Sequence, residues 1–259
     1  MAANSAATSN SGELFARQFL PQSIELLEIA QSDRSAALAL YQANQLPQAV
    51  FSLQQAVEKA VKAIGLSTRA IAPAELQSAI SHKAINVYAQ ALRKIVAFAK
   101  TRAVEPKGID MLDRLLRGLE ADRDRFTSSA KPTPAELTGW IKLYRSGRDE
   151  TRAMIAGAQG AELVAIVREE VGGPLPFDAA EIPRRMFDAF IALAGLYFLS
   201  LATLAHAVSS RYGDGKHSPL AIYDQSHALV AHFADMASVA EECLDIAQST
   251  FTFVASWPS

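Results

Sequence analysis

From Ala189 to Ser210 the chain carries no charged side chain, a run long enough to cross a bilayer and too apolar for the surface of a water-soluble bundle. Two environments accept such a helix: hydrocarbon, or a position enclosed by other helices. Gly195, Ser200, Thr203 and His206 interrupt the run, and no Trp sits at either end. Its polar members are disfavoured by hydrocarbon, so we read a central helix buried on all sides and no membrane span. That reading requires the rest of the chain to supply the surrounding helices. Directly after the run come Arg211, Asp214, Lys216 and His217, spaced by Gly213 and Gly215. A buried apolar helix that stops at a Gly-rich corner holds those polar groups at the rim of the core.

Helical periodicity fills the remaining sequence. Glu13 to about Asn44 is helical through Leu26, Leu27, Ile29, Ala30, Ala36, Leu38, Leu40 and Tyr41; Pro21 is expected to kink or divide it, with Ser23 restarting it. Leu46-Pro47 opens a second helix, the proline near the first turn where its missing N–H costs nothing. Val50, Leu53, Val57, Val61 and Ile64 then recur by threes and fours, and Gly65 is expected to end the helix. Beside this stripe run Phe51, Gln55, Glu58 and Lys62, of which the last two are spaced to pair on the surface. Ser81-His82 looks like the cap of a third helix bearing Ile85, Tyr88, Leu92, Ile95 and Ala99. Gly108 leads into a short helix whose charged faces mix arginine with aspartate and glutamate, the pattern of a solvated surface.

Thr133-Pro134-Ala135-Glu136 is a capping box with proline at the first helical position, and its helical pattern extends past Gly157 and Gly160 to about Val171. Gly172-Gly173-Pro174-Leu175-Pro176 is a loop. An amphipathic helix is expected over Tyr223 to Gln248. Nothing alternates with period two over a useful length, so the fold class is all-α, an antiparallel helical bundle. Residues 1–12 read as a disordered tail, 13–250 as a single helical domain and 251–259 as a C-terminal tail.

A formal net charge of -2 provides no global basic field, so nucleic-acid binding needs a local patch. The single cysteine, Cys243, sits among Val239, Leu244 and Ile246 and reads as a buried, inert thiol. With no basic start or apolar middle of a secretory signal in Met1 to Gly12, the expected setting is cytoplasmic. Gly-rich phosphate loops, Cys-rich zinc patterns, nucleophile elbows and calcium loops are absent from the sequence. His227 and His232 are five apart, roughly 140° around a helix, and are unsuited to share a metal. Neither metal nor cofactor is implied.

Arginine and histidine remain. An Arg fixed at a helix end suits a phosphodiester and the charge of a pentavalent transition state. An imidazole titrates near neutrality and can take the proton of a ribose 2′-hydroxyl. Arg211 and His217 together suffice for metal-free RNA cleavage that leaves a cyclic phosphate. On spacing alone, Arg211, Asp214 and Lys216 read first as ordinary solvent-facing turn residues.

Three elements add a family resemblance. Gln54-Gln55-Ala56-Val57-Glu58-Lys59-Ala60-Val61-Lys62-Ala63 resembles the second-helix signature of HEPN domains. Ser81-His82-Lys83 resembles the Ser-His element that follows it. Arg211-Tyr212-Gly213-Asp214 with Tyr223 resembles the family's last corner, and Arg211 and His217 fit the Arg-x(4–6)-His motif of its ribonucleases. The resemblance implies a HEPN-like bundle with its core at about 23–101 and 184–250, elaborated by an inserted helical segment at about 102–183. It also implies a homodimer in which two Arg/His corners face one another, with Glu58 orienting Arg211. Arg211 and His217 are then the catalytic candidates, and Tyr212, Asp214, Lys216, Glu58, Lys62 and His82 the substrate-binding ones.

The function implied is a metal-independent endoribonuclease of the kind used in toxin–antitoxin or phage-defence systems, acting on RNA, for which an antitoxin is one candidate partner. Tyr212 stands where active members often carry a small polar residue. A non-catalytic HEPN module binding a nucleotide, or a nucleotidyltransferase-like partner, is therefore the alternative, followed by a helical scaffold.

Overall fold

The computed structural model describes residues 17–76, 84–101, 106–127, 131–157, 160–162, 165, 181–206 and 208–256. After a 3₁₀ turn at Arg17–Phe19, the helices are α1 (Leu20–Gln42), α2 (Leu46–Ser67), α3 (Ile85–Thr101), α4 (Pro106–Thr127), α5 (Pro134–Ala156) and α6 (Glu181–Leu204). Three single turns follow, α7 (Ser209–Tyr212), α8 (Pro219–Ile222) and α9 (Ala228–Ala231), before the long α10 (Phe233–Ala255). No strand occurs among the described residues, and the architecture is an all-α helical bundle.

The first two helices form an antiparallel hairpin. Asn44 takes the left-handed conformation (φ 58°) that closes α1, and the Gln45 amide donates to the Leu40 carbonyl at 2.8 Å. Pro21 and Pro47 both lie in first turns, where no hydrogen bond is lost. α1 therefore begins at the Pro21 turn itself, after the 3₁₀ turn, and is not restarted at Ser23. Ser23, expected to restart the helix, is buried and donates to the Phe19 carbonyl at 3.0 Å.

The core joins Leu27, Ala30 and Ala37 of α1 to Leu53, Val57 and Val61 of α2, Leu196 and Leu199 of α6, and Phe233, Met236 and Cys243 of α10. By length and composition Phe187–Leu204 could cross a membrane, yet here it packs against α2, α3, α4, α5 and α10. Those neighbours cover much of it, but Phe190 stays 62% exposed, so the helix is not buried on all sides as expected. The Tyr41 ring stacks on Phe233 at 4.4 Å between centroids, and its hydroxyl donates to the Val230 carbonyl at 3.4 Å. Burial pushes the Cys243 thiol up to about 12.

The helices between α3 and α6 belong to the same packed body. The α5 capping box forms as expected: the Glu136 amide donates to Thr133 Oγ1 at 3.2 Å and the Thr133 amide to Glu136 Oε2 at 2.8 Å. Leu137 and Tyr144 enter the core, and Arg145 and Arg148 pair with Asp235 and Glu242 of α10 at 2.7 and 2.9 Å. The Tyr197 hydroxyl of α6 donates to Asp122 of α4 at 2.8 Å.

Several boundaries differ from the sequence expectation. Gly65 does not end α2, which continues to Ser67. A Cβ at Gly65 would lie 2.7 Å from Val87 Cγ1 of α3 and 3.0 Å from Ile71, so the glycine permits a close crossing. Gly108 lies inside the first turn of α4, which is 22 residues long rather than short. α5 stops at Ala156, with Gly157 as its C-cap, but the described residues 160–162 and 165 are again helical. The expected helix from Tyr223 is broken as far as His232 because local side chains compete for the backbone. Asp224 Oδ1 accepts the Ser226 amide at 2.9 Å, and His227 Nδ1 accepts the Leu229 amide at 3.2 Å. At the other end, Phe251 and Val254 are buried on α10. The Gly172–Pro176 loop, the residues 1–12 and Trp257 lie outside the described residues.

Gly65→Ala tests the crossing. Urea unfolding should show a loss of about 1–3 kcal/mol from overpacking. Val87→Ala should recover part of that loss in the Gly65→Ala background, whereas strictly additive losses would refute the contact.

Candidate functional site

The corner is built by the last residues of the apolar run. α7 is one turn, ended by Gly213 at φ 78°. A side chain at Gly213 would run into the His217 carbonyl oxygen, so the loop closes tightly on itself. Asp214 fixes the closure: Oδ1 accepts the Lys216 and His217 amides at 2.9 and 2.7 Å, and Oδ2 lies 3.2 Å from His217 Nδ1. The Lys216 and His217 amides, followed by the His217 side chain, hold the Asp214 carboxyl well below the usual carboxylate range. A carboxylate can only accept, so Nδ1 carries the hydrogen in this contact and Nε2 is the basic nitrogen of a neutral ring. The His217 side chain is 62% exposed.

Arg211 is placed by packing against α2. Its guanidinium carbon lies 4.9 Å from the Phe51 ring centroid and 5.3 Å from that of Tyr212. Rings against the guanidinium cover its faces, while its N–H donors all point within its plane. Phe51, the apolar member of an otherwise polar stripe, thus supports the arginine.

The polar residues of that part of α2 form a continuous ladder. Asp33 of α1 pairs with Lys59, and Lys59 donates to Gln55 Oε1 at 3.4 Å. Gln55 donates to Gln54 at 2.7 Å, Gln54 to Glu58 Oε2 at 3.0 Å, and Lys62 to Glu58 Oε1 at 2.6 Å. Glu58 and Lys62 do pair, but Glu58 is buried, so the pair is not the surface contact its spacing suggests. The ladder gives each buried polar group of the string a partner.

The structure therefore gathers Arg211, Tyr212, Asp214, Lys216 and His217 on one turn and loop. Glu58 and Lys62 lie on the helix face that begins with Phe51. Asp214 is engaged inside the loop and faces His217. His82, with Ser81 and Lys83, lies outside the described residues.

Beneath the corner is a cluster that sequence reasoning missed. His206 Nδ1 lies 2.6 Å from the Tyr223 hydroxyl, which also lies 2.7 Å from Ser209 Oγ. The His227 ring packs edge-on to His206 at 5.3 Å and against Tyr223 at 4.7 Å. Ser210 Oγ donates to the His206 carbonyl at 2.6 Å. Burial, then the neighbouring His227 and Lys131, lowers His206 to about 3, and burial lowers His227 as well. Burial raises Tyr223 to about 12, so the cluster is neutral at pH 7. A single imidazole closing an uncharged run was the available signal.

With this geometry in place, comparison with known families is informative for one stretch. Residues 24–82 match the HEPN domain. No curated protein and no solved structure matches the chain. The HEPN match covers most of α1, all of α2 and the connection as far as His82. It includes the whole polar ladder and Phe51, and it ends well before Arg211.

The buried imidazole fixes a pH response. Folded His206 binds fewer protons than the unfolded chain, whose histidines titrate near 6.5, so stability is full above that pH and falls as the pH drops toward 3. Urea unfolding between pH 7.5 and 4.5 should therefore show a shallower pH dependence in His206→Gln than in wild type, and equal slopes would refute this. Tyr223→Phe should cost about 1–3 kcal/mol at pH 7 by stripping partners from His206 and Ser209.

Proposed function

We propose that the Arg211–His217 corner cleaves RNA without a metal ion. The observation that carries this reading is the Asp214–His217 contact on the loop whose Arg211 is braced against Phe51. The HEPN match of residues 24–82 supports it, because the matched helix supplies that brace.

In this reading the in-plane donors of Arg211 hold the non-bridging oxygens of a phosphodiester. Nε2 of His217 takes the ribose 2′-hydroxyl proton while Asp214 stabilises the imidazolium through Nδ1. The 2′-oxygen bonds to phosphorus and the 5′-oxygen leaves, taking a proton from water. The products are a 2′,3′-cyclic phosphate and a 5′-hydroxyl. Arg211 neutralises the charge that accumulates on the pentavalent phosphorus. Lys216 adds positive charge at the loop rim, and Glu58, with its Lys62 partner, orients Arg211 from α2. Two copies pair so that their corners share one cleft, and an antitoxin is the partner this reading allows.

One observation favours a second reading. Tyr212, with 73% of its surface open, stands beside Arg211 and suits retention of a nucleotide without cleavage. In that case the same corner is a binding module.

Cleavage of end-labelled RNA in the presence of EDTA separates the two. Wild type should release fragments ending in cyclic phosphate, and His217→Ala should be slower by roughly 10²- to 10⁴-fold. Arg211→Ala should lose activity together with phosphate affinity. Tight binding by wild type without any fragment, across RNAs of varied sequence, would replace the ribonuclease reading with the binding module.

A further inference from the structure

The segment that carries Arg211 and His217 is held to the bundle by very little apolar packing. Between Ser209 and Tyr223 the buried residues are Ser209, Ser210, Gly213 and Tyr223, so Tyr223 supplies the one large buried side chain. The turn α8 buries none of its residues, and Tyr212 and Leu220 leave 73% and 71% of their surfaces open. Segments with so few apolar contacts open locally at a free energy below that of the whole fold.

What fastens the segment is polar, and it joins the segment's two ends. The Tyr223 hydroxyl at one end lies 2.7 Å from Ser209 Oγ at the other and 2.6 Å from Nδ1 of His206, just past the end of α6. Ser210 Oγ donates to the His206 carbonyl at 2.6 Å, a second tie at the same point. The surroundings of the buried His206 ring suit it only when it is neutral. His227, ahead of α9, packs edge-on to it at 5.3 Å, and Lys131, ahead of α5, opposes a positive charge on either ring. Asp224 favours a charge on His227, but its carboxylate is already engaged by the Ser226 amide and hydroxyl at 2.9 and 2.6 Å. A proton on His206 therefore places a charge in a buried site beside His227 and Lys131.

We infer that His206 and Tyr223 form an acid-released clasp: below neutral pH the segment from Ser209 to Tyr223 detaches from the bundle, and the corner is dismantled while the long helices stay folded. This goes beyond the ribonuclease reading and rests on it only for what the corner then ceases to do.

The direction follows from proton binding. In the closed clasp burial, then His227 and Lys131, lower His206 to about 3, whereas a released imidazole titrates near 6.5. The open segment therefore binds the extra proton. Between those two values each pH unit of acidification raises the open population about tenfold. His227, lowered by burial and then by Lys131, adds to the same trend.

Hydrogen exchange of the full chain between pH 6 and 4.5, read by mass spectrometry and corrected for the intrinsic pH dependence of exchange, tests the clasp. Peptides covering Ser209 to Tyr223 should lose protection at least about tenfold per pH unit and stay less protected than those of α2 throughout. His206→Asn, whose amide can reach the position of Nδ1, should remove about one factor of ten per pH unit from that slope. His206→Gln serves the same comparison where circular dichroism shows His206→Asn to be unfolded. Tyr223→Phe should lower the protection of these peptides at every pH and keep the slope, because the imidazole stays buried.

The inference is overturned if the corner and α2 exchange together, since release is then global unfolding. It is equally overturned if wild type and the His206 variants share one slope, or if Tyr223→Phe protects the corner as wild type does. No RNA enters the measurement, so a protein that never cleaves RNA can still show the clasp. A working ribonuclease whose corner stays protected in acid would remove the clasp alone.

Discussion

A helix with no charge from Ala189 to its end at Leu204 needs apolar cover over most of its surface, and the other helices are arranged as that cover. α2 and α10 lie along it, α5 supplies Leu137 and Tyr144, and α3 and α4 add to the cover while Phe190 stays exposed. This explains why the helices between α3 and α6 cannot be regarded as an appendage. Without them part of α6 would face solvent, at about 25 cal/mol per Å² of apolar surface left wet. The ion pairs of α5 with α10 are half exposed and contribute little energy, but they fix the register in which α5 covers the core.

A second constraint operates on α2. This helix is buried on most of its circumference, yet it carries Gln54 and Glu58 inside the fold. Such groups are tolerated only when their hydrogen-bonding capacity is met, and each rung of the chain from Asp33 to Lys62 meets it. The corner depends on the same helix, because Phe51 lies one to two turns before the ladder and carries Arg211. The segment with the family match thus lies under the candidate site, whose Arg211 and His217 come from outside it.

Much of this was legible in the sequence where local rules decide. The capping box at Thr133, the proline in the first turn of α2 and the glycines that shape the Arg211 loop all act within a few residues. The meaning of Gly65 was not legible, because a glycine that ends a helix and one that admits a neighbour look the same until Val87 is placed. The break before α10 was hidden by an apolar periodicity that runs on through Leu229 while Asp224 and His227 capture backbone amides. Glu58 and Lys62 had the spacing of a surface pair, and only the packing of α2 shows that pair to be buried. The His206–Tyr223 contact joins two elements by tertiary packing, which periodicity does not report.

The pairing of Tyr41 with Phe233 and the Val230 carbonyl bears on the order in which the molecule is made. The α1–α2 hairpin has only local contacts to close and can form while the chain is still being synthesised. The corner needs Phe51 from the first quarter of the chain, Arg211 and Tyr223 from the last, and α10 to hold them together. A chain still on the ribosome therefore has the hairpin and its ladder well before it has the corner. Whatever the corner does, it is assembled only after synthesis has passed α10, so an unfinished chain carries the foundation without the site.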